Sequence, residues 1–228
     1  MPFYKSIEIK PSTTLYLWKI SEEFNTLFRE VQLKDVSLAR LEAMKSESHQ
    51  KGFMAVRMLL QHLGYSDFDL YYDEFGKPHL RQDRFAAREK TASLQDERRD
   101  IPEIHISISH SGDFSGVLIS DQNVGLDIEQ LKEKTLKIAF RYMDISHLEN
   151  LTEEEKIRKA TVIWGIKETI FKVKNEPGIS FIDHIFEDDF QFEDKKAHVQ
   201  LHFNNQIEHF ETVFDSIEEY IFVCAFQK

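Results

Sequence analysis

The chain has 228 residues, with 29 Lys and Arg against 40 Asp and Glu and a formal net charge of −11 at pH 7. That balance argues against a general nucleic-acid binder, and no run approaches the ~20 apolar residues of a membrane span. The length suits one large domain or two smaller ones with a real core. A single cysteine, Cys224, excludes an intramolecular disulfide, and its setting, YIFVCAF, reads as a buried strand in which it is a small core residue. The start MPFYKSIEIK lacks the apolar stretch of a secretory signal, so the expected setting is reducing and cytoplasmic. Charge is uneven: residues 1–120 hold 16 Lys and Arg against 18 Asp and Glu, whereas 121–228 hold 13 against 22. A phosphate-rich ligand would draw its cations mainly from the first half.

In chain order, Leu15–Ile20 alternates as a strand, and Ser21 suits the N-cap of a short helix with Glu22 and Glu23 in its first turn. Ser37 suits the cap of a longer helix whose apolar stripe runs from Leu38 through Phe53 and Val56 to Leu63, with Gly64 as the stop. Lys45, His49, Lys51 and Arg57 lie along this segment, and a solvated helix face is their ordinary account. Phe68–Tyr72 reads as a strand leading into Gly76-Lys77-Pro78, where Pro78 biases Lys77 toward extended backbone. Residues 83–100 are dense in charge and read as an exposed excursion. The chain returns through Ile104–Ile108, alternating as HISIS, into Ser109-His110-Ser111-Gly112.

Val117–Ser120 and Val124–Ile128 are apolar runs separated by Asp121-Gln122-Asn123, which predicts a hairpin entering the core. Period-two geometry puts Asp127 and Glu129 on one face of the second strand and Leu126 and Ile128 on the other. Two acids on a strand built for burial are unfavourable unless paired. A hard divalent cation answers that problem, and Mg²⁺ takes one or two carboxylates plus substrate phosphates. An edge strand with a merely solvated polar face answers it as well. Thr135–Met143 has helical spacing. The long segment Thr152–Lys174 follows, with Thr152 and Glu155 fitting a capping box. Trp164, Glu168 and Lys172 fall on one face of that helix, where Glu168 and Lys172 also suit an ordinary surface pair. Asn175, Pro177 and Gly178 stop it, and Ile182–Phe186, His198–Phe203 and Tyr220–Phe226 read as strands with aromatic core residues. The order of elements fits an α+β fold of two lobes, 1–120 and 121–228, each a long helix on a small, mostly antiparallel sheet.

The order of four motifs carries a resemblance. Gly76-Lys77-Pro78, Ile108-Ser109-His110-Ser111, Val124-Gly125-Leu126-Asp127-Ile128-Glu129 and Trp164-Gly165-Ile166-Lys167-Glu168 with Lys172 together resemble the 4′-phosphopantetheinyl transferases. The likeness is to the larger, two-lobed class that activates carrier proteins of peptide, polyketide and fatty-acid synthases, and it runs from about Lys45 to Gly178.

The resemblance implies that the two lobes are pseudo-symmetric, and it implies a holo-[acyl-carrier-protein] synthase type of enzyme. It would move 4′-phosphopantetheine from coenzyme A to a serine of an acyl or peptidyl carrier protein and release adenosine 3′,5′-bisphosphate. By this match Asp127, Glu129 and Glu168 would hold Mg²⁺, with Glu168 alternatively taking the serine proton, and Lys172 and Lys167 would neutralise phosphate charge. Lys77, Pro78, Ser109 and His110 would hold the nucleotide end, and Lys51 would meet the 3′-phosphate. The expected state is a monomer, with no nucleic-acid or membrane partner. One departure is His147, which stands where the family often has a further carboxylate, with Glu149 two residues beyond. A catalytically weak relative that binds coenzyme A or a carrier protein is the alternative.

Overall fold

The structure is a computed structural model that describes residues 3–81 and 104–228; the charged segment 83–100 lies outside the described residues. The fold is α+β, with two antiparallel sheets. The first has six strands: β1 (Phe3–Lys10), β2 (Thr13–Lys19), β3 (Leu70–Tyr72), β4 (Pro78–Leu80), β5 (His105–Ser111) and β6 (Phe114–Ser120), ordered β1-β2-β6-β5-β4-β3. The second holds β7 (Val124–Gln130), β8 (Ile185–Glu187), β9 (Lys196–Phe203), β10 (Gln206–Ile217) and β11 (Tyr220–Gln227), ordered β7-β11-β10-β9-β8.

On the first sheet pack α1 (Phe24–Glu30), α2 (Asp35–Ala43) and α3 (Glu47–His62). One core joins Leu27, Leu41, Phe53, Met54, Val56, Leu59 and Leu60 to Leu70, Leu80, Ile106 and Val117. After the short helix α4 (Glu133–Lys137), the long helix α5 (Glu153–Lys174) covers the second sheet through Ile163, Ile166, Ile170 and Val173, and the one-turn α6 (Phe181–His184) follows. A third core lies between the sheets, where Leu15, Leu17, Phe114 and Leu118 meet Leu126, Ile128, Phe222, Cys224 and Phe226. The layers are therefore helix, sheet, sheet, helix. Cys224 is wholly buried there, with its thiol pushed up by desolvation, as a core residue should be.

The expected hairpin of 117–128 does not form. β6 pairs with β2 and β5, whereas β7 pairs with β11, so residues 121–123 carry the chain from one sheet to the other. An apolar strand pair with a short polar link looks the same in sequence whether it turns back on itself or changes sheet. The single helix expected from Ser37 is two, because Met44 takes extended backbone and Ser46 opens a new helix with Glu47 in its first turn. Thr135–Met143 is mostly not helical either: α4 ends at Lys137 and a single 3₁₀ turn, Ala139–Arg141, succeeds it. Strand β10, unmarked in the sequence reading, is the longest in the molecule's described residues. The capping box holds as drawn: Thr152 Oγ1 accepts from the Glu155 amide and Glu155 Oε2 accepts from the Thr152 amide. Such a cap is worth about 1 kcal/mol.

Candidate functional site

Strand β7 is the edge of its sheet, with Leu126 and Ile128 turned into the core between sheets and Asp127 and Glu129 turned toward α5. Two glycines let the helix come down onto this strand and its neighbour β11. A Cβ at Gly125 would lie 2.2 Å from the Thr169 carbonyl oxygen, and one at Gly165 would lie 2.5 Å from Val223 Cγ2. Close approach brings the predicted helix face onto the acids. Lys172 Nζ donates to Asp127 Oδ1 at 2.8 Å and to the Leu126 carbonyl at 2.7 Å, and Trp164 Nε1 donates to Glu129 Oε1 at 3.3 Å. Ser109 Oγ donates to Asp127 Oδ1 at 3.1 Å, and Ser111 Oγ to Glu129 Oε2 at 3.2 Å.

The electrostatics follow from that crowding. Burial, and then the charge of Asp127, push the Glu129 carboxyl up to about 7. The same two causes, opposed by Lys172, raise Glu168 above the ordinary carboxylate range. Asp127 Oδ2 is buried and has no hydrogen-bond partner among the described residues. An orphaned carboxylate oxygen beside two carboxyls that resist ionising is a site short of positive charge, and an all-oxygen donor set of this kind suits a hard divalent cation. Among the described residues no three His, Cys, Asp or Glu groups are close enough to hold a metal by themselves. The residues therefore fit a cation completed by phosphate oxygens or water, not a closed protein cage.

Two cavities flank this centre and share His110. One, of about 370 Å³, is lined by Arg40, Phe53, Arg57, Tyr72, Lys77, Pro78, His110, Glu168 and Lys172 among others; the second, of about 440 Å³, is lined by His49, His110, Ser111, Glu129, Lys132 and Trp164 among others. The His110 ring sits where a Cβ at Gly52 would be, 2.3 Å from its Cδ2, so α3 needs a glycine there. Burial, then the neighbouring His49, Lys172, Arg57 and Arg40, push the imidazole down. A neutral ring among cations is the arrangement of a site that awaits an anion.

The sequence-derived residues are thus partly gathered. Asp127, Glu129, Glu168 and Lys172 converge, and Lys77, Pro78 and His110 reach the first cavity. Three go elsewhere. Lys51 is half-buried on α3 and lines neither cavity. Lys167 is buried against Glu187 and the Ile185 carbonyl, on the far side of α5 in a separate cavity that also holds His147. Ser109 turns its hydroxyl to β7. Lys77 itself does double duty: its Nζ donates to Asn123 Oδ1 at 2.6 Å and to the Val173 carbonyl at 3.1 Å, which ties the first sheet to the end of α5. Burial pushes that ammonium down. His147 faces Glu187 at 3.7 Å and contributes nothing to the acid centre. Arg57, whose ordinary account was a solvated helix face, is buried, bonded to Asp67 at 3.1 Å and laid over the Phe53 ring, and Arg40, which the sequence did not mark, lines the first cavity with it. The one sequence signal at Arg57 was its position beside the apolar stripe of α3, and Arg40 stands on α2.

Fold and site together define a two-sheet α+β protein with an acid–lysine centre between cation-lined cavities. No model of a known protein family matches the chain. Individual proteins do. It is 34% identical over 86 residues to a 4′-phosphopantetheinyl transferase, psf-1, of Bacillus pumilus, covering 36% of each chain. It is 26% identical over 136 residues to the 4′-phosphopantetheinyl transferase Sfp of Bacillus subtilis (strain 168), covering 56% of this chain and 53% of that one. A 4′-phosphopantetheinyl transferase, gsp, of Aneurinibacillus migulanus is 33% identical over 73 residues, 31% of each. The chain spans about a third to a half of the length of these curated relatives. Over these stretches the chain is similar to 4′-phosphopantetheinyl transferases, and its two-sheet α+β architecture is consistent with the two-lobed fold that the sequence motifs imply.

Proposed function

We propose that this protein transfers 4′-phosphopantetheine from coenzyme A to a serine of an acyl or peptidyl carrier protein, as a Mg²⁺-dependent, holo-[acyl-carrier-protein] synthase type of enzyme. The observation that carries the reading is the convergence of Asp127, Glu129, Glu168 and Lys172 beside a cavity lined by Arg40, Arg57, Lys77 and His110. Residues 1–120 then supply the nucleotide contacts and 121–228 the acids, with the active site between the lobes, where ligand sites often lie.

In the reaction the serine Oγ forms a new P–O bond to the phosphopantetheine phosphorus, and the bridging P–O bond to adenosine 3′,5′-bisphosphate breaks. Glu168, more basic than an ordinary carboxylate, accepts the serine proton. Lys172 places its ammonium against the charge that develops on the pyrophosphate oxygens. Asp127 and Glu129, together with phosphate oxygens or water, would hold Mg²⁺, which when bound would supply the further positive charge that a cleaved pyrophosphate needs. Arg40, Arg57, Lys77 and His110 hold the anionic nucleotide end in the 370 Å³ cavity. The same reading places the protein in the cytoplasm as a monomer, with coenzyme A and a carrier protein as partners.

One observation favours a second reading, a catalytically weak relative that binds coenzyme A or a carrier protein: His147 faces Glu187 and supplies no third carboxylate. Mass spectrometry of apo carrier proteins incubated with coenzyme A, Mg²⁺ and this protein separates the two. A fixed mass gain on one serine identifies the transferase. Coenzyme A binding with no mass gain across a broad panel identifies the weak relative.

A further inference from the structure

Strand β5 carries serine at every second position, 107, 109 and 111, on the face opposite Ile106, Ile108 and His110. That face meets β7, whose outer edge has no strand partner among the described residues. The hydroxyls take the partner's place. Ser107 Oγ accepts from the Leu126 amide at 2.8 Å, Ser109 Oγ from the Ile128 amide at 3.1 Å, and Ser111 Oγ from the Gln130 amide at 3.3 Å. A hydroxyl both accepts and donates, and two of the three spend their proton on the acids, Ser109 on Asp127 Oδ1 and Ser111 on Glu129 Oε2. Each serine lies opposite the residue 18 positions later, and for Ser107 that residue is Gly125, which has no side chain to receive a proton.

We propose that Ser109 and Ser111 are positioning residues that fix the carboxylates of Asp127 and Glu129 for a divalent cation. Ser109 then acts on the acid centre and not on the nucleotide. This rests on the Mg²⁺-dependent reading above. Each hydroxyl pins one carboxylate oxygen while anchoring the backbone of the next residue, so the acid can neither rotate nor slide along the strand. In Asp127 this leaves Oδ2 buried and unfilled, facing α5 at Gly165. Partners of this kind behind a metal ligand typically govern metal affinity by ~10- to 100-fold.

The seam contains its own control, since Ser107 makes the same backbone bond with no carboxylate. The test compares Ser107→Ala, Ser109→Ala and Ser111→Ala with wild type in three measurements. These are Mn²⁺ binding by electron paramagnetic resonance with coenzyme A present, coenzyme A binding by calorimetry with metal chelated, and thermal melting. All three variants should melt lower. Only S109A and S111A should lose Mn²⁺ affinity, by about tenfold or more, with metal-free coenzyme A affinity held within about twofold. Ser109→Thr, which keeps the hydroxyl, should restore Mn²⁺ binding. If S109A does not fold, the less buried Ser111 carries the same comparison. Equal Mn²⁺ affinity in S107A, S109A and S111A overturns the proposal and leaves the transferase reading standing. So does a tenfold loss of metal-free coenzyme A affinity in S109A, which makes that serine a nucleotide contact. Absence of Mn²⁺ binding by the wild type sinks the metal-dependent reading and the proposal with it.

Discussion

Replacing Glu129 by glutamine should stabilise the metal-free protein at alkaline pH while removing its activity. Glu129 is held at about 7, against 4.5 for an ordinary glutamate, first by burial and then by Asp127. A folded-state pKa above the unfolded one means that the native protein binds the proton more tightly. The contribution is full below pH 4.5 and is lost as pH rises through about 7. At ~1.4 kcal/mol per unit, the ceiling on that loss is about 3 kcal/mol. Glu129 is partly exposed and hydrogen-bonded by Ser111 and Trp164, so solvent screening reduces the figure to about 1.5 kcal/mol. Glutamine keeps the shape without the charge. The assay is thermal melting of both proteins in chelator from pH 5 to 9. The two curves should nearly coincide at pH 5 and separate through pH 7, with E129Q higher by about 3–6 °C at pH 8.5. A pH-independent offset, or an E129Q that melts lower at pH 8.5, would falsify the claim that Glu129 is a strained, charge-crowded carboxyl.

Asp127→Asn should cut transfer at least a hundredfold and draw Glu129 back toward its ordinary pKa, which the melting profile of this variant reads directly, because the charge of Asp127 is a main cause of the shift. Gly125→Ala should destabilise by about 1–3 kcal/mol and reduce activity, since its Cβ would stand 2.2 Å from the Thr169 carbonyl and push α5 off the acids; denaturant melts and turnover assays measure both. Lys77→Ala should weaken coenzyme A binding in calorimetry and also lower stability by about 1 kcal/mol, because its ammonium ties Asn123 to the Val173 carbonyl. Light scattering should return one 27.0 kDa chain; a trimer with sites between subunits is the result that contradicts the monomer assignment.

Much of the acid centre was legible because two periodicities met. Period two set Asp127 and Glu129 on one face of β7, and the helical period set Trp164, Glu168 and Lys172 on one face of α5. Local capping chemistry at Thr152 fixed where that helix starts. Pairing between distant segments was not legible. Nothing in Val117–Ile128 distinguishes a hairpin from a strand that leaves for β11, more than 90 residues later in the chain. β10 escaped notice because Phe210, Thr212 and Phe214 are buried within a polar-looking run, QIEHFETVFDSI.

Two residues show where closer physical reading of the sequence would have gone further and where it would not. Lys167 and Glu168 are neighbours, but successive helical residues point about 100° apart. Once Trp164, Glu168 and Lys172 share the face toward β7, Lys167 must turn away from it, and it does, into the pair with Glu187. That outcome was derivable from spacing alone. Ser109 was not. The string HISISHS alternates equally well whether its serines meet water or another strand's edge, and small hydroxyl residues suit both. Only the decision of β7 to pair with β11, which leaves its other edge facing β5, turns those three serines from a solvated strand face into the surface that orients the acids.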